Sequence, residues 1–530
     1  MDVVIDNLLK KFDALKSKRQ VWESLWQDIA SYTVPRKDNI LIRDTPGTKK
    51  YNDILDSTAI NSVELLSGAL HSMLTNPVGF FFNLTTGDSD LDNQDEVRAW
   101  FQQVVRVMHE TLANSNFQTE VHEYYIDLVS FGTAVLLIED DPEDEVRFSS
   151  KAIQEVYLDK NHIDRVDTVF REFKYTPRDL VDAFGLDILP EKIKKEYNEG
   201  VDRDYDVIHA TYPKKKEEKS NFAFHSKYIL RSEKMFLQEG GFRQNPYIAA
   251  RWSKSSCEVY GRGPGEKGLP ETRLANLMGE TTIRSAQKVI DPPMQAPDDG
   301  FVFPLITRPG GLNFYRAGSQ DRIEPIFNNQ RIDYGIEMTE ATRAKIREAF
   351  FVDQLKLRDG PQMTATEVME RSEQAMRFLG PMLGRQEVEF LQPMVTRLFD
   401  LLERKEKLPA VPESIKAHIQ ETGRAIRVRF SSVMAMSQRQ SEVQNINRTM
   451  QTIAPFASAN PQVLDNLDGD KAVRYIAKLF NFPQELIMDT EGRDQMREQR
   501  AQQQQQQQQA EQEAQQADSA SKIMNATKTQ

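Results

Sequence analysis

Apolar residues recur at three- and four-residue steps through much of the chain, and the places where that rhythm stops divide it into segments. Residues 1 to 32 carry Phe12, Leu15, Trp22, Leu25, Trp26 and Ile29 on one side, the mark of an amphipathic helix, which SYTVPRKDN then ends. A second helix is predicted over 56 to 75, with Asp56 or Ser57 as its cap and Ile60, Val63, Leu66 and Leu70 as its buried side. The apolar run PVGFFFNLTT that follows suits a strand. Next comes a helix with Trp100, Val104 and Met108, capped by the acidic stretch 88 to 92. At Phe131-Gly132-Thr133 the period changes from helix to strand, and a mixed α+β region begins. IQEVYLD and DTVFREFKYT fit strands, TPRDLVDAFG a helix, and DVIHATYPKK, NFAFHSKYIL and KMFLQEGGF an antiparallel meander.

Two further helical runs flank a segment that cannot be helical. The first, 269 to 289, has Pro270 in its first turn, where the missing N–H costs nothing, and Asp291-Pro292-Pro293 as its stop. The second, 326 to 351, sets Ile332, Ile336, Ile346 and Phe350 on a thin stripe, which suits a helix packed on neighbours rather than sunk in a core. Between them, Pro292, Pro293, Pro297, Pro304, Pro309 and Pro325 surround two short β-prone pieces, FVFPLIT and GLNFYR. A polar loop at 352 to 363 breaks at Gly360-Pro361, and Thr364-Ala365-Thr366-Glu367 is a capping box that starts a new helix. That helix keeps its spacing through Val388, Leu391, Val395, Leu398 and Leu402, with Pro381 and Pro393 expected to kink it. RAIRVRFSSVMAMSQR predicts a strand then a helix, and helical patterns recur at 437 to 454 and 470 to 480. Residues 491 to 530, with glutamine at every position from Gln502 to Gln509, lack an apolar stripe; they suit a disordered tail or a polar helix within an assembly.

Composition narrows the class. A length of 530 residues allows roughly three or four domain-sized units. No stretch reaches the ~18 apolar residues of a membrane span, and the N-terminus is amphipathic rather than signal-like, so cytosolic synthesis is expected. Cys257 is the single cysteine, which excludes an intrachain disulfide and a thiolate metal cluster. A net charge of -12 argues against gripping DNA by neutralising phosphates. It leaves open a passage through which DNA slides without strong attraction and, equally, an acidity that simply keeps the protein soluble.

Candidate chemistry fails when each motif is followed to its end. Asp88-Ser89-Asp90-Leu91-Asp92 starts like a calcium loop, but Asn93 stands where glycine is needed and Ala99 where glutamate is needed. His109-Glu110 and His122-Glu123 lack the second histidine of a zinc-protease helix. Gly263-Pro264-Gly265-Glu266-Lys267-Gly268 matches G-x-G-x-x-G in letters only: a proline sits in the turn, no parallel βαβ unit surrounds it, and Lys267 precedes glycine rather than Ser or Thr. It is read as a flexible approach to the 269 to 289 helix. No catalytic residue, cofactor site or metal site is expected, and the chain is read as a non-enzyme.

Five stretches, DSTAINSVELLSGALHSMLTNP, DLVSFGTAVLLIED, VDTVFREFKYTPRDLVDAFG, NPYIAARWSKSSCEVYGRGPG and MTATEVMER, occur in the order in which the portal proteins of T7-like short-tailed bacteriophages carry them. The chain resembles that family over roughly residues 1 to 490. The resemblance implies a mainly helical α+β portal fold, assembled as a ring, usually a dodecamer, around a central channel. Residues 1 to 268 and 364 to 430 would form the wing, 269 to 289 and 328 to 351 the stem helices, and 290 to 327 the clip. The tunnel loop would be 352 to 363, the crown 431 to 490, and 491 to 530 a Gln-rich tail, disordered or forming a helical barrel. The implied location is the portal vertex of the virion capsid, after synthesis in the host cytoplasm. Implied partners are double-stranded DNA, terminase, tail adaptor and nozzle proteins, and the major capsid and scaffolding proteins.

Helix geometry is compatible with that ring. Twelve helices packed ~9 to 10 Å apart leave a bore of roughly 26 Å, wide enough for a duplex roughly 20 Å across, whereas six leave roughly 8 Å. On the tunnel loop, Lys356 and Arg358 are the candidates for DNA contact, because ring symmetry would repeat each charge around the lumen. Two other readings compete: an adaptor ring that does not itself gate DNA, and a nucleic-acid enzyme.

Overall fold

In the computed structural model the described residues are 2–41, 45, 47–77, 79–92, 94–215, 218, 221–290, 294–295, 324–325, 332–355, 378–422, 426–430, 433–459, 462, 468–479, 488 and 492–507. In chain order the first elements are α1 (Asp2–Thr33), α2 (Thr58–Leu74), β1 (Phe82–Thr85), the single turn α3 (Ser89–Asp92), α4 (Asp95–Asn114) and α5 (Phe117–Phe131). Then come β2 (Thr133–Asp141), β3 (Glu145–Lys151), β4 (Val156–Lys160), β5 (Val166–Tyr175), α6 (Pro177–Phe184) and α7 (Glu191–Asn198). β6 (Tyr205–Pro213), β7 (Phe224–Leu230), β8 (Met235–Phe242), β9 (Tyr247–Arg251), α8 (Pro264–Lys267) and α9 (Leu269–Ile290) follow. Beyond them lie β10 (Met294–Gln295), β11 (Glu324–Pro325), α10 (Ile332–Ala349) and α11 (Val352–Leu355). Helices Gln392–Arg404, Glu413–Thr422, Val433–Ala459 and Gly469–Leu479 and the strand β12 (Arg427–Phe430) complete the C-terminal part.

The chain divides into two units, Met1–Phe81 with Met108–Lys407 and Ser432–Met434, and Phe82–Val107 with Leu408–Ser431 and Ala435–Gln530. The first is built on two antiparallel sheets, ordered β4-β5-β6-β7-β8 and β3-β2-β9. The expected meander is present as β6, β7 and β8, with Ile208 opposite Ile229 and Tyr228 opposite Gln238. α1 serves both sheets because its apolar stripe is long. Ile5, Leu8, Phe12 and Leu15 pack on Tyr157, Phe170, Ile208 and Ile229, while Trp26, Ile29 and Ala30 join Val135, Leu137, Leu158 and Val169. Arg19, buried between them, donates to the carbonyls of Ile153 and Val156 and lies 3.7 Å over the Tyr157 ring.

α5 ends where the period changes: Gly132 takes φ 72°, its N–H bonds Leu128 O, and β2 starts at Thr133. His209, buried in β6, bonds Tyr247 and Ser226, and burial, with the nearby Arg171 charge, pushes its pKa down to about 3. The cap of α2 falls to Asp56, whose carboxylate accepts from the Thr58 N–H, while Ser57 makes no side-chain cap.

The long C-terminal helix of this unit departs from the sequence expectation at Val388, which is 64% exposed although Leu391, Val395, Leu398 and Leu402 are buried. Residues Glu387–Leu391 form a π turn, in which the Gln392 N–H reaches back to Glu387 O. A five-residue step sets Gln386 and Leu391 on the same side and rotates Val388 out of the stripe. The turn lies directly before Pro393, which would have crowded the Glu389 carbonyl in a regular α-helix. It also aims Glu389 at Arg251, which is pinned through its backbone N–H, Nε and Nη2.

In the second unit β1 pairs antiparallel with β12, Phe82 opposite Phe430. The acidic stretch behaves differently from the cap expected of it. It is the turn α3, and Asp92 faces backwards, accepting from the Thr86 N–H and the hydroxyls of Thr85 and Thr86 to close the end of β1. Within the tail, residues 492–507 are helical rather than disordered, and Arg493 and Arg497 pair with Asp470.

Candidate channel-forming helices

α9 and α10 lie side by side. Thr342 donates to the Met278 sulfur at 3.7 Å, and a Cβ on Gly335 would meet Thr282 Oγ1 at 3.3 Å, so this glycine permits the close approach. Their inner turns are fixed in the body. Leu269, Thr272 and Ala275 of α9, Ile346 and Ala349 of α10, and Phe350 directly after it are buried. Their outer turns are not: no residue of α9 after Ala275 is buried, and Leu277 (59%), Ile336 (58%) and Met338 (60%) stand exposed with Leu274, Ile283, Val289 and Tyr334. The stripe expected of α10 therefore holds at Ile346 and Phe350 and fails at Ile336. Within one subunit, α9 covers only one side of α10.

The approach to α9 is a close-packed joint, not the flexible segment expected of GPGEKG. A Cβ on Gly263 would sit 2.8 Å from Gly132 Cα, and one on Gly265 would overlap the Ser130 carbonyl. Backbone rests on backbone there, and only glycine fits. Arg262 adds ion pairs to Glu258 and Glu266 and lies 4.8 Å over the Trp22 ring.

A second joint forms where the pair leaves the body. The Asn276 side chain on α9 accepts from the N–H groups of Leu55 (2.7 Å) and Asp56 (3.3 Å) and donates to Asp53 O (2.9 Å). Asp56 then accepts from Arg343 Nε of α10 at 2.7 Å. Burial alone would raise the Asp56 pKa, but its bonds from Thr58 and Arg343 outweigh that and hold it below the ordinary carboxylate value.

α10 stops at Phe351, an aromatic residue with φ 58° whose ring lies 6.3 Å from Trp252. A non-glycine residue in that region is strained and marks a sharp change of direction. α11 makes a helical turn of the first four residues of the 352 to 363 segment expected to be a loop, which also carries Lys356 and Arg358. Both candidates lie outside the described residues, as does the capping box at 364 to 367. Of the segment expected to form the clip, β10 and β11 pair antiparallel, Met294 opposite Pro325, and most of the remainder is also outside. Sequence reasoning missed Asn276, Arg343 and Phe351, and found Asp56 as a cap of α2 but not its bond to Arg343, because these roles depend on partners distant in the chain or on backbone torsion. Among the described residues no group of three or more His, Cys, Asp or Glu could hold a metal, and no helix is long and apolar enough to cross a membrane.

The pattern of the family described as "Bacteriophage head to tail connecting protein" matches residues 6–488. A probable portal protein of Bordetella phage BPP-1 is 30% identical over 533 residues, covering 97% of this chain and 94% of the relative. The portal protein of Salmonella phage epsilon15 is 29% identical over 511 residues, covering 93% and 90% respectively. These matches do not narrow the affiliation to T7-like phages. With the match spanning both units, the chain belongs to the bacteriophage head to tail connecting protein family.

Proposed function

We propose that copies of this chain form the portal ring of a phage capsid, a dodecamer whose central channel carries double-stranded DNA during packaging and ejection. The observation that carries the assembly is the set of exposed apolar side chains on the outer turns of α9 and α10, which on α10 point to more than one side of the helix. Leu277, Ile283, Ile336 and Met338 have no cover in one subunit, and a neighbouring copy supplies it. At 22 residues, α9 would line about 33 Å of channel. The portal names of both relatives support the same reading.

In this reading the chain is structural. Hydrolysis of ATP belongs to a separate terminase, and the ring is its docking platform and later that of the tail adaptor and nozzle proteins. The major capsid and scaffolding proteins meet the ring at the vertex. Lys356 and Arg358 contact DNA within the channel. Replacing both with glutamate should reduce packaging and retention of DNA, and unchanged values would remove these residues from the mechanism.

The assembly is tested by electron microscopy of the purified chain, with top views classified without imposed symmetry and native mass recorded alongside. Twelve-fold rings with a bore near duplex width are expected. A small closed oligomer without a channel would defeat the portal assignment.

A further inference from the structure

We infer that the loop 53 to 56 is a buckle that sets the angle at which α9 and α10 leave the body, and that Asn276 and Asp56 are positioning residues for the channel. The link to a channel rests on the portal reading; the buckle itself is a property of one subunit.

Its position is the first argument. On α9, Ala275 is the last buried residue and Asn276 is the next one; on α10, which runs the other way, Thr339 is the outermost buried residue and Arg343 lies one turn inside it. The α9 tie therefore sits at the margin between the fixed and the exposed turns, and the α10 tie one turn within it. The second argument is connectivity. One short loop is bonded to three helices: through Asn276 to α9, through the Asp56 carboxylate to the first turn of α2, and through the same carboxylate to Arg343 of α10. Moving either channel helix alone breaks a bond to the loop, so the two must swing as a pair or remain in place. The third is the nature of the contact. The hold is mainly polar: Leu55 is 44% exposed and Arg343 lies near the surface. Little apolar area secures the joint, which makes it easier to release than the glycine joint below it.

Geometry also supplies a lock. A Cβ on Gly279 would lie 3.4 Å from Leu55 Cβ, close to the ~3.5 to 4.5 Å spanned by a disulfide. Cys257 is exposed and is the single native cysteine, so Cys257→Ser gives a clean background.

The test uses the full chain in that background, with Asn276→Ala, Leu55→Cys/Gly279→Cys, and the two combined. Hydrogen exchange over residues 277–290 is compared with exchange in α5. Asn276→Ala should speed exchange in the outer turns of α9 about tenfold while α5 is unchanged. Under oxidising conditions the disulfide should restore the native rate, and reductant should abolish the rescue. In rings, DNA retention should fall and recover in the same order. Unaltered exchange in Asn276→Ala, or an oxidised disulfide that forms without restoring the rate, would overturn the buckle. Should Asn276→Ala fold poorly, Arg343→Gln releases only α10 and is read in the same way over residues 334–342. If no variant or native chain forms rings, the portal reading fails while the exchange measurement still decides the buckle.

Discussion

The inner and outer turns of α9 share one helical geometry and meet opposite conditions. At the inner end, Gly263 and Gly265 let the chain rest on the backbone of α5, and Leu269, Thr272 and Ala275 are enclosed. At the outer end, Leu277, Ile283 and Val289 face outward with no cover in their own subunit. The contrast separates two jobs. The inner turns are specified within one chain, to tolerances below the size of a methyl group. In the proposed ring, the outer turns leave part of their stabilisation to other copies.

The largest effect expected from breaking this contrast is at the glycine joint. Gly265→Ala drives a Cβ into the Ser130 carbonyl and should cost about 3 kcal/mol or more, read as a lower denaturation midpoint of the full chain. Nearly as large is Glu389→Gln. It leaves the Arg251 guanidinium, 3% exposed, without its counter-charge, and should cost about 3 kcal/mol by the same measurement.

Acid should separate the two regions by pH. His209 titrates near pH 3 when folded, well below the ordinary value of about 6.5, so its neutral burial stabilises the body fully above about 6.5. As pH falls below that, only the unfolded chain takes up the proton, and stability should drop by up to about 1.4 kcal/mol per pH unit until about 3. Asp56 has the opposite origin and a lower window. Its depressed pKa adds stability that persists above the ordinary carboxylate value near 4 and is lost only as pH falls through the folded value. Denaturation midpoints at pH 7, 5 and 4 should therefore fall in the wild type and fall less in His209→Gln. The Asn276 and Arg343 ties should hold over the same range. The smallest effect on a single subunit belongs to Ile336→Ser, within about 0.5 kcal/mol. Its assembly should nevertheless fail, read by native mass; intact rings would show that this face is not where copies meet.

Much of the body was legible because local patterns decide it. The stripe of α1, the switch at Phe131-Gly132-Thr133, the helix over TPRDLVDAFG and the three-strand meander all depend on neighbouring residues. The errors share another cause. GPGEKG looks mobile until Gly132, more than a hundred residues earlier, is placed against it. Asp92 looks like a helix cap until its hydrogen bonds lead back to Thr85 and Thr86. Val388 follows a 3.6-residue period that the π turn abolishes. The buckle carries no motif, because Asn276 bonds backbone groups and any residue type can supply those.

The π turn has a consequence for how the gene can change. It stores one surplus residue in a helix, much as a dislocation stores an extra row of atoms in a crystal. Removing a single codon from a regular helix turns everything downstream by about 100° and tears its buried stripe from the core. With Pro393 also replaced by alanine, so that nothing crowds the Glu389 carbonyl, removing the codon for Val388 should instead anneal the defect, leaving Leu391, Val395, Leu398 and Leu402 facing inward. Once that proline is gone, this short stretch is a place where the reading frame can lose one amino acid and the architecture can absorb the loss.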